Sequence, residues 1–259
     1  MVIHTNPMHH NSMAMPVASE PHGKAERPNG HQRHWRESLD LIEQQVPITK
    51  TRIRTHDQIY SYGQPFKSLY LINTGLFKIV SLTQDGRERS SDFFFEGDWL
   101  GFDGISTGQH SCSAIALDFG ELWKVDYDTL LQAAAHDPSL LHHVLTAISC
   151  QLSRNRDIAL SIGTLSAEAR VADFLLMWTT ALADRGRRTD QINLHLSRAD
   201  IGKFLGIRLE SVSRSLSKLA QCGVIAFHEG RRRDISIPDI SALSHFVHSH
   251  ADSSDMVLQ

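Results

Sequence analysis

A chain of 259 residues, 41% hydrophobic and 21% charged, is long enough for one large or two modest domains with separate cores. No segment approaches the roughly 20 consecutive apolar residues of a membrane span, and the N-terminus has no apolar stretch of secretory type, so a cytoplasmic chain without a membrane partner is expected. The net charge is −3, but residues 1–165 hold 14 Lys and Arg against 18 Asp and Glu, while residues 166–250 hold 12 against 9. Such a change of sign points to a polyanionic partner for the second part.

Residues 1–35 are rich in His, Pro, Asn and Ser and read as a disordered tail. Its histidines (His4, His9, His10, His22, His31, His34) are expected to be solvated rather than to hold a metal. Cys112, Cys150 and Cys222 are scattered and odd in number, which argues against a disulfide framework and for a reducing compartment. Without a CxxC pair there are too few thiolates for a structural zinc or an iron–sulfur cluster, and no metal site is expected.

Residues 36–136 form the first domain. Within 48–127, the runs LYLI, LFKIVSLT and FFF are separated by NTG, QDGR and EGD, a pattern of short strands and turns. Asp85-Gly86 is a hairpin signal. An antiparallel roll or barrel follows. That architecture also hosts cupin enzymes, whose metal needs His and carboxylate ligands clustered on adjacent strands. Only His56 and His110 are available here, far apart in sequence, which leaves a cupin-like ligand-binding protein or enzyme as the alternative from another class.

Residues 137–165 change period. Asp137-Pro138 is an N-cap followed by a first-turn proline. Leu141, Leu145, Ile148, Leu152, Asn155, Ala159 and Ile162 then recur at alternating spacings of four and three, a heptad seam that predicts a dimerisation helix, with Asn155 as a register-setting polar residue. The competing reading is a single helix lying on its own sheet, for which Leu140, Val144 and Ala147 supply a second face.

Residues 166–250 form the second domain. SAEARVADFLLMWTTALADRG predicts an amphipathic helix ending at Gly186. Ser197 is an N-cap with Asp200 three residues on, a capping-box variant, and Gly206 breaks the helix that follows. The next stretch, LESVSRSLSKLAQCG from residue 209, places Leu209, Val212, Leu216 and Leu219 on one helical face and Glu210, Ser213, Arg214 and Ser217 on another. Two short helices joined by a glycine turn make a helix-turn-helix, with Ile201, Leu205, Ile207 and Val212 as its small core. VIAFHEGRRRDISI alternates around Glu229-Gly230 and predicts a hairpin tipped by Arg231, Arg232 and Arg233. The fold expected is therefore α+β: an antiparallel β-roll, a long dimerisation helix and a winged helix-turn-helix, with residues 251–259 as a short tail. In such an arrangement Ser197, Arg198, Ser217, Arg231, Arg232 and Arg233 are candidate contacts to DNA phosphate.

This order resembles the CRP/FNR family of bacterial transcription regulators across nearly all of residues 36–245. The resemblance is strongest in SRADIGKFLGIRLESVSRSLSKL and in FEGDWLGFDGISTGQHSCSAIAL, and the latter is similar to the FNR branch, where GD-x-x-GFD-x-I recurs. It implies a fold like that of cyclic-nucleotide-binding domains, a DNA-binding homodimer, and RNA polymerase as a further partner. Glu210, Ser213 and Arg214 match the FNR branch's E-x-x-SR reading triplet. Leu209 stands where the cyclic-AMP branch has an extra arginine, so the implied site is TTGAT-N4-ATCAA rather than one built from TGTGA. Three departures limit the resemblance. GQHSCSA lacks the arginine that holds the nucleotide phosphate in the cyclic-AMP branch. The tail lacks the cysteines of the iron–sulfur members, and Trp123 stands near the internal one. Ser215 replaces an apolar residue. The expected effector is thus neither cyclic AMP nor an iron–sulfur cluster; no cofactor is identified, and haem or another small ligand is the remaining expectation.

Overall fold

The structure, a computed structural model, describes residues 39–82, 88–228 and 231–251, with the side chains of 88–91, 231, 232 and 251 outside that description. The expected tails at 1–35 and 251–259 lie outside it except for Ala251, as do the Asp85-Gly86 turn and the Glu229-Gly230 wing tip.

Among the described residues the roll comprises β1 (Ile48–Ile53), β2 (Gln58–Tyr60), β3 (Ser68–Thr74), β4 (Phe77–Leu82), β5 (Glu88–Phe94), β6 (Trp99–Leu100), β7 (Ser113–Ala116) and β8 (Gly120–Asp126). They pair as two antiparallel four-stranded sheets, ordered β1-β8-β3-β6 and β2-β7-β4-β5. Side-chain alternation assigns each strand two environments. On β3, Ile72 joins Tyr60, Phe77, Phe94 and Leu122 inside the roll, while Leu69 and Leu71 pack on the other side with Trp99, Trp123 and Val125. That outer face is covered by α1 (residues 39–45), α2 (Tyr127–His136) and the start of α3 (Pro138–Thr164). A strand covered on both faces reads as a continuous apolar run, and LYLI is one.

Helix α3 begins as its sequence dictates. The Asp137 side chain accepts from the Ser139 amide, and Pro138 fills the first turn where no amide donor is needed. At 27 residues it spans about 40 Å. Leu140 and Val144 are buried against the roll, so the face proposed for its own sheet is present alongside the heptad face.

The C-terminal domain comprises α4 (Ala167–Ala183), β9 (Gln191–Asn193), α5 (Arg198–Leu205), α6 (Leu209–Gln221), β10 (Ala226–His228), β11 (Arg231–Ser236) and α7 (Ile240–Ala251). Helix α4 ends at Ala183 and turns through Gly186, whose φ is 64°. The wing is larger than the expected hairpin: β9 pairs with β11 to make a three-stranded sheet ordered β10-β11-β9. Helix α7 extends the domain, with Leu243, Phe246 and Val247 buried in the core built on α4.

The two domains share that core. Phe93 and Phe95 on the outside of the roll pack with Phe174, Trp178 and Phe204, and the Phe93 ring lies 4.9–6.1 Å from its three aromatic neighbours.

Candidate nucleic-acid interface

Helices α5 and α6 are set by two glycines and a cap. Ser197 accepts from the Asp200 amide while the Asp200 carboxylate accepts from the Ser197 amide, which completes a reciprocal capping box. The Ser197 hydroxyl also donates to Asp200 at 2.6 Å, so its proton is engaged in the cap. Gly206 closes α5 at φ 67°, a left-handed conformation that favours glycine. A Cβ on Gly202 would stand 2.6 Å from the Ile207 carbonyl oxygen, so the close approach of the turn to α5 requires that position to lack a side chain.

On α6, Val212, Leu216 and Leu219 are fully buried, each contributing roughly 1.5–3 kcal/mol of hydrophobic burial. Ile201, Leu205 and Ile207 pack in the same core. Ser215 is buried with them. Leu209 is not: it is 45% exposed, so the expected apolar face does not reach the first residue of α6. The apolar face therefore begins at Val212.

The opposite face presents Glu210, Ser213, Arg214 and Ser217 to solvent. Among the described residues Arg214 makes a 3.4 Å contact from Nη2 to the Ser211 hydroxyl, and Ser217 donates back to the Ser213 carbonyl at 3.0 Å. Arg198, at the start of α5, lies over the Phe227 ring of β10 at 5.8 Å. Arg233 is exposed on β11, while the side chains of Arg231 and Arg232 lie outside the described residues.

Along the proposed seam, Leu141, Leu145, Leu152, Asn155 and Ala159 are exposed, whereas Ile148 and Ile162 are half-buried. Leu160, which the heptad assignment omits, is 57% exposed. Asn155, Ala159 and Ile162 also border a cavity of about 300 Å³ between the roll, α3 and α5. Its polar walls are Tyr60, Asp92, Asp103, Cys112, Gln151 and Asn155. Tyr60 stacks on the buried His110 with ring centroids 3.8 Å apart. Asp103 accepts from the Ser111 amide at 2.7 Å and from the Tyr60 hydroxyl at 3.4 Å.

Residues 169–246 match the Crp-like helix-turn-helix domain and residues 50–137 the cyclic nucleotide-binding domain. The chain is 31% identical over 194 residues to the fumarate and nitrate reduction regulatory protein of Salmonella typhi, covering 74% of this chain and 76% of that one. It is 30% identical over 186 residues to electron transport regulator A of Shewanella oneidensis, covering 72% of each. FixK2 from Bradyrhizobium japonicum superposes with a TM-score of 0.69 at 29% identity, over 77% of this chain and 97% of that one. The chain belongs to the CRP/FNR family of transcription regulators.

A CRP/FNR protein carries a helix-turn-helix that binds DNA, and this family is one of regulators rather than enzymes. Among the described residues no helix is long and apolar enough to cross a membrane. The cyclic nucleotide suggested by the first domain's likeness does not suit this cavity. Asp92 and Asp103 line it, and among the described residues no Lys or Arg does, while a buried phosphate needs a cation or several amide donors. Haem fits no better. No described histidine lines the cavity. Trp123 is buried, its indole donating to Glu121 at 3.0 Å and its ring 4.7 Å from Lys50 Nζ.

Sequence reasoning missed Tyr60, Asp92 and Asp103 as cavity residues. One signal was present: DFFF sets a carboxylate against three aromatic residues that all need burial.

Proposed function

We propose that the protein is a cytoplasmic homodimer that reads TTGAT-N4-ATCAA through Glu210, Ser213 and Arg214 and works with RNA polymerase as its further partner. What carries the reading is the division of α6: Val212, Ser215, Leu216 and Leu219 are buried, while Glu210, Ser213 and Arg214 are exposed at helical spacing. At 13 residues the helix is about 20 Å long, and a B-DNA major groove is wide enough to receive it. Arg214 pairs with guanine O6 and N7, Glu210 accepts from a cytosine or adenine amino group, and Ser213 is small enough to sit beside thymine. Arg198, Ser217 and Arg231 to Arg233 are assigned to the phosphates, which fix register without reading sequence, whereas Ser197, whose amide and hydroxyl both donate to Asp200, is left to the cap. The exposed Leu141, Leu145 and Leu152 support pairing along α3, since a row of large apolar side chains in water is the surface a second copy would cover. A titration of the full chain against this palindrome and a scrambled duplex tests the reading; equal affinity for both would reject it.

A further inference from the structure

Asp98, at the turn after β5, holds two elements at once. Arg154 Nη1 of α3 donates to its Oδ2 at 2.9 Å, and Arg185 Nη2, just past the end of α4, lies 3.3 Å from its Oδ1. Arg185 also donates through Nε to the Glu96 carbonyl at 2.6 Å. Two buried atoms beside this joint are left over. Among the described residues, Asp92 Oδ2 and Arg154 Nε have no hydrogen-bond partner. One is an acceptor and the other a donor, and their residues already act on each other. Burial pushes the Asp92 carboxyl up to about 6, and the Arg154 charge opposes that rise. The Arg154 guanidinium lies over the Phe94 ring, 5.4 Å from its centroid. Asp92 stands two residues back on the same face of β5, roughly 7 Å along the strand. Each open atom carries a desolvation cost, and one contact between them would remove it for both.

We propose that Arg154 is a two-position switch. In the position seen it shares Asp98 with Arg185. In the other it swings across Phe94 and closes Nε on Asp92 Oδ2, which leaves Asp98 to Arg185 alone. The cavity bordered by Asp92 and Phe94 gives the side chain room to turn. Both positions keep the guanidinium on a carboxylate, so the swing strands no buried cation. No ligand takes part: the moving group is the protein's own. Helix α4, which Arg185 follows, carries Phe174, Leu175 and Trp178 in one core with Val212 and Leu216 of α6. With Arg154 on Asp98, a single carboxylate braces α3, the roll and the DNA-binding domain together. With Arg154 on Asp92, that brace is cut at α3. The switch therefore sets how firmly the end of α4 is held, and it stands whether or not α6 reads the palindrome.

Hydrogen exchange of the full chain at pH 7.5, followed by mass spectrometry, reads the brace at residues 184–187, relative to β3, whose amides report global opening. Among the described residues Asp92 makes no hydrogen bond to that segment, so a fixed Arg154 leaves its relative exchange unchanged in Asp92→Asn. A two-position Arg154 gives a different result. Asparagine cannot hold the guanidinium's charge, the population moves to Asp98, and relative exchange at 184–187 slows by at least about twofold. In an Arg154→Met background the same substitution should have no effect, because nothing remains to switch. Nitrogen-15 spectra of the Arg154 Nε–H, assigned by its loss in Arg154→Lys, test the motion in the parent chain and need no Asp92 variant to fold. Two resonances, or one broadened by microsecond-to-millisecond exchange, are expected. A single sharp resonance overturns the proposal. So does unchanged or faster relative exchange in Asp92→Asn, or an equal slowing in the Arg154→Met background.

Discussion

Lys78 on β4 of the roll and Asp200 in the first turn of α5 meet across the domain boundary, Nζ to Oδ1 at 2.7 Å, with side chains only 18% and 19% exposed. The same carboxylate completes the Ser197 capping box, so one residue both starts the first helix of the DNA-binding motif and ties it to the roll. Burial pushes the Asp200 carboxyl up, but the hydrogen bonds from Lys78 and Ser197 outweigh it and hold the group below the usual range. A depressed carboxylate contributes stability above its unfolded value near 4, and loses it as pH falls through the folded value. Lys78→Met should therefore cost about 1.5–3 kcal/mol at pH 7, and the difference from the parent protein should shrink below about pH 4. Urea denaturation at pH 7 and pH 3.5 measures both; a cost that does not change with pH would contradict the assignment.

Asp92 has the opposite sign. Its folded value, about 6, lies above the ordinary aspartate value of 3.8, so its contribution is most favourable below the unfolded value and is lost as pH rises through about 6. Asp92→Asn should stabilise the protein above that pH by up to about 3 kcal/mol and give no such gain below pH 4. Thermal unfolding of both proteins across that window checks the crossover.

The seam is best probed at residues that do not also hold the roll together. Leu145 and Leu152 are 54% and 59% exposed, whereas Ile148 packs partly against the protein's own core. Leu152→Asp should leave each chain folded but place two like charges near the twofold axis, giving monomers with little specific DNA binding. Sedimentation velocity at micromolar concentration would show it, and a Leu152→Asp protein that stays dimeric would return α3 to a purely intrachain role.

Much of this fold was written in local signals. Asp137-Pro138, the Ser197/Asp200 box and Gly206 each act within a few residues, so the starts and stops of α3 and α5 were legible, as was the buried face of α6 from Val212 onward. Helix α7 and strand β9 were not: three residues of QIN become a strand only because β11 lies beside them, and α7 is stabilised by the apolar surface of α4. The cavity was hidden for the same reason. Tyr60, Asp92, Asp103 and Asn155 come from four separate segments, and nothing local says that they converge. The FFF run was read as one strand, whereas Phe93 and Phe95 serve the domain boundary and Phe94 the roll interior.

The central claim is that α6 reads bases, and Arg214→Ala against Arg233→Ala tests it most directly. Both arginines are exposed cations of the DNA-binding domain, so a protein held only by charge would lose affinity for any duplex in either variant. If α6 reads sequence, Arg214→Ala should cost roughly 1–3 kcal/mol per half-site on the palindrome and relax preference at one base pair. Arg233→Ala should weaken palindrome and scrambled duplex alike, and lower the salt slope by about one unit for each phosphate it no longer neutralises. The measurement is a titration of each variant against both duplexes at several salt concentrations. Selective loss on the palindrome in Arg214→Ala is the predicted result, and an equal loss on both duplexes would contradict the account.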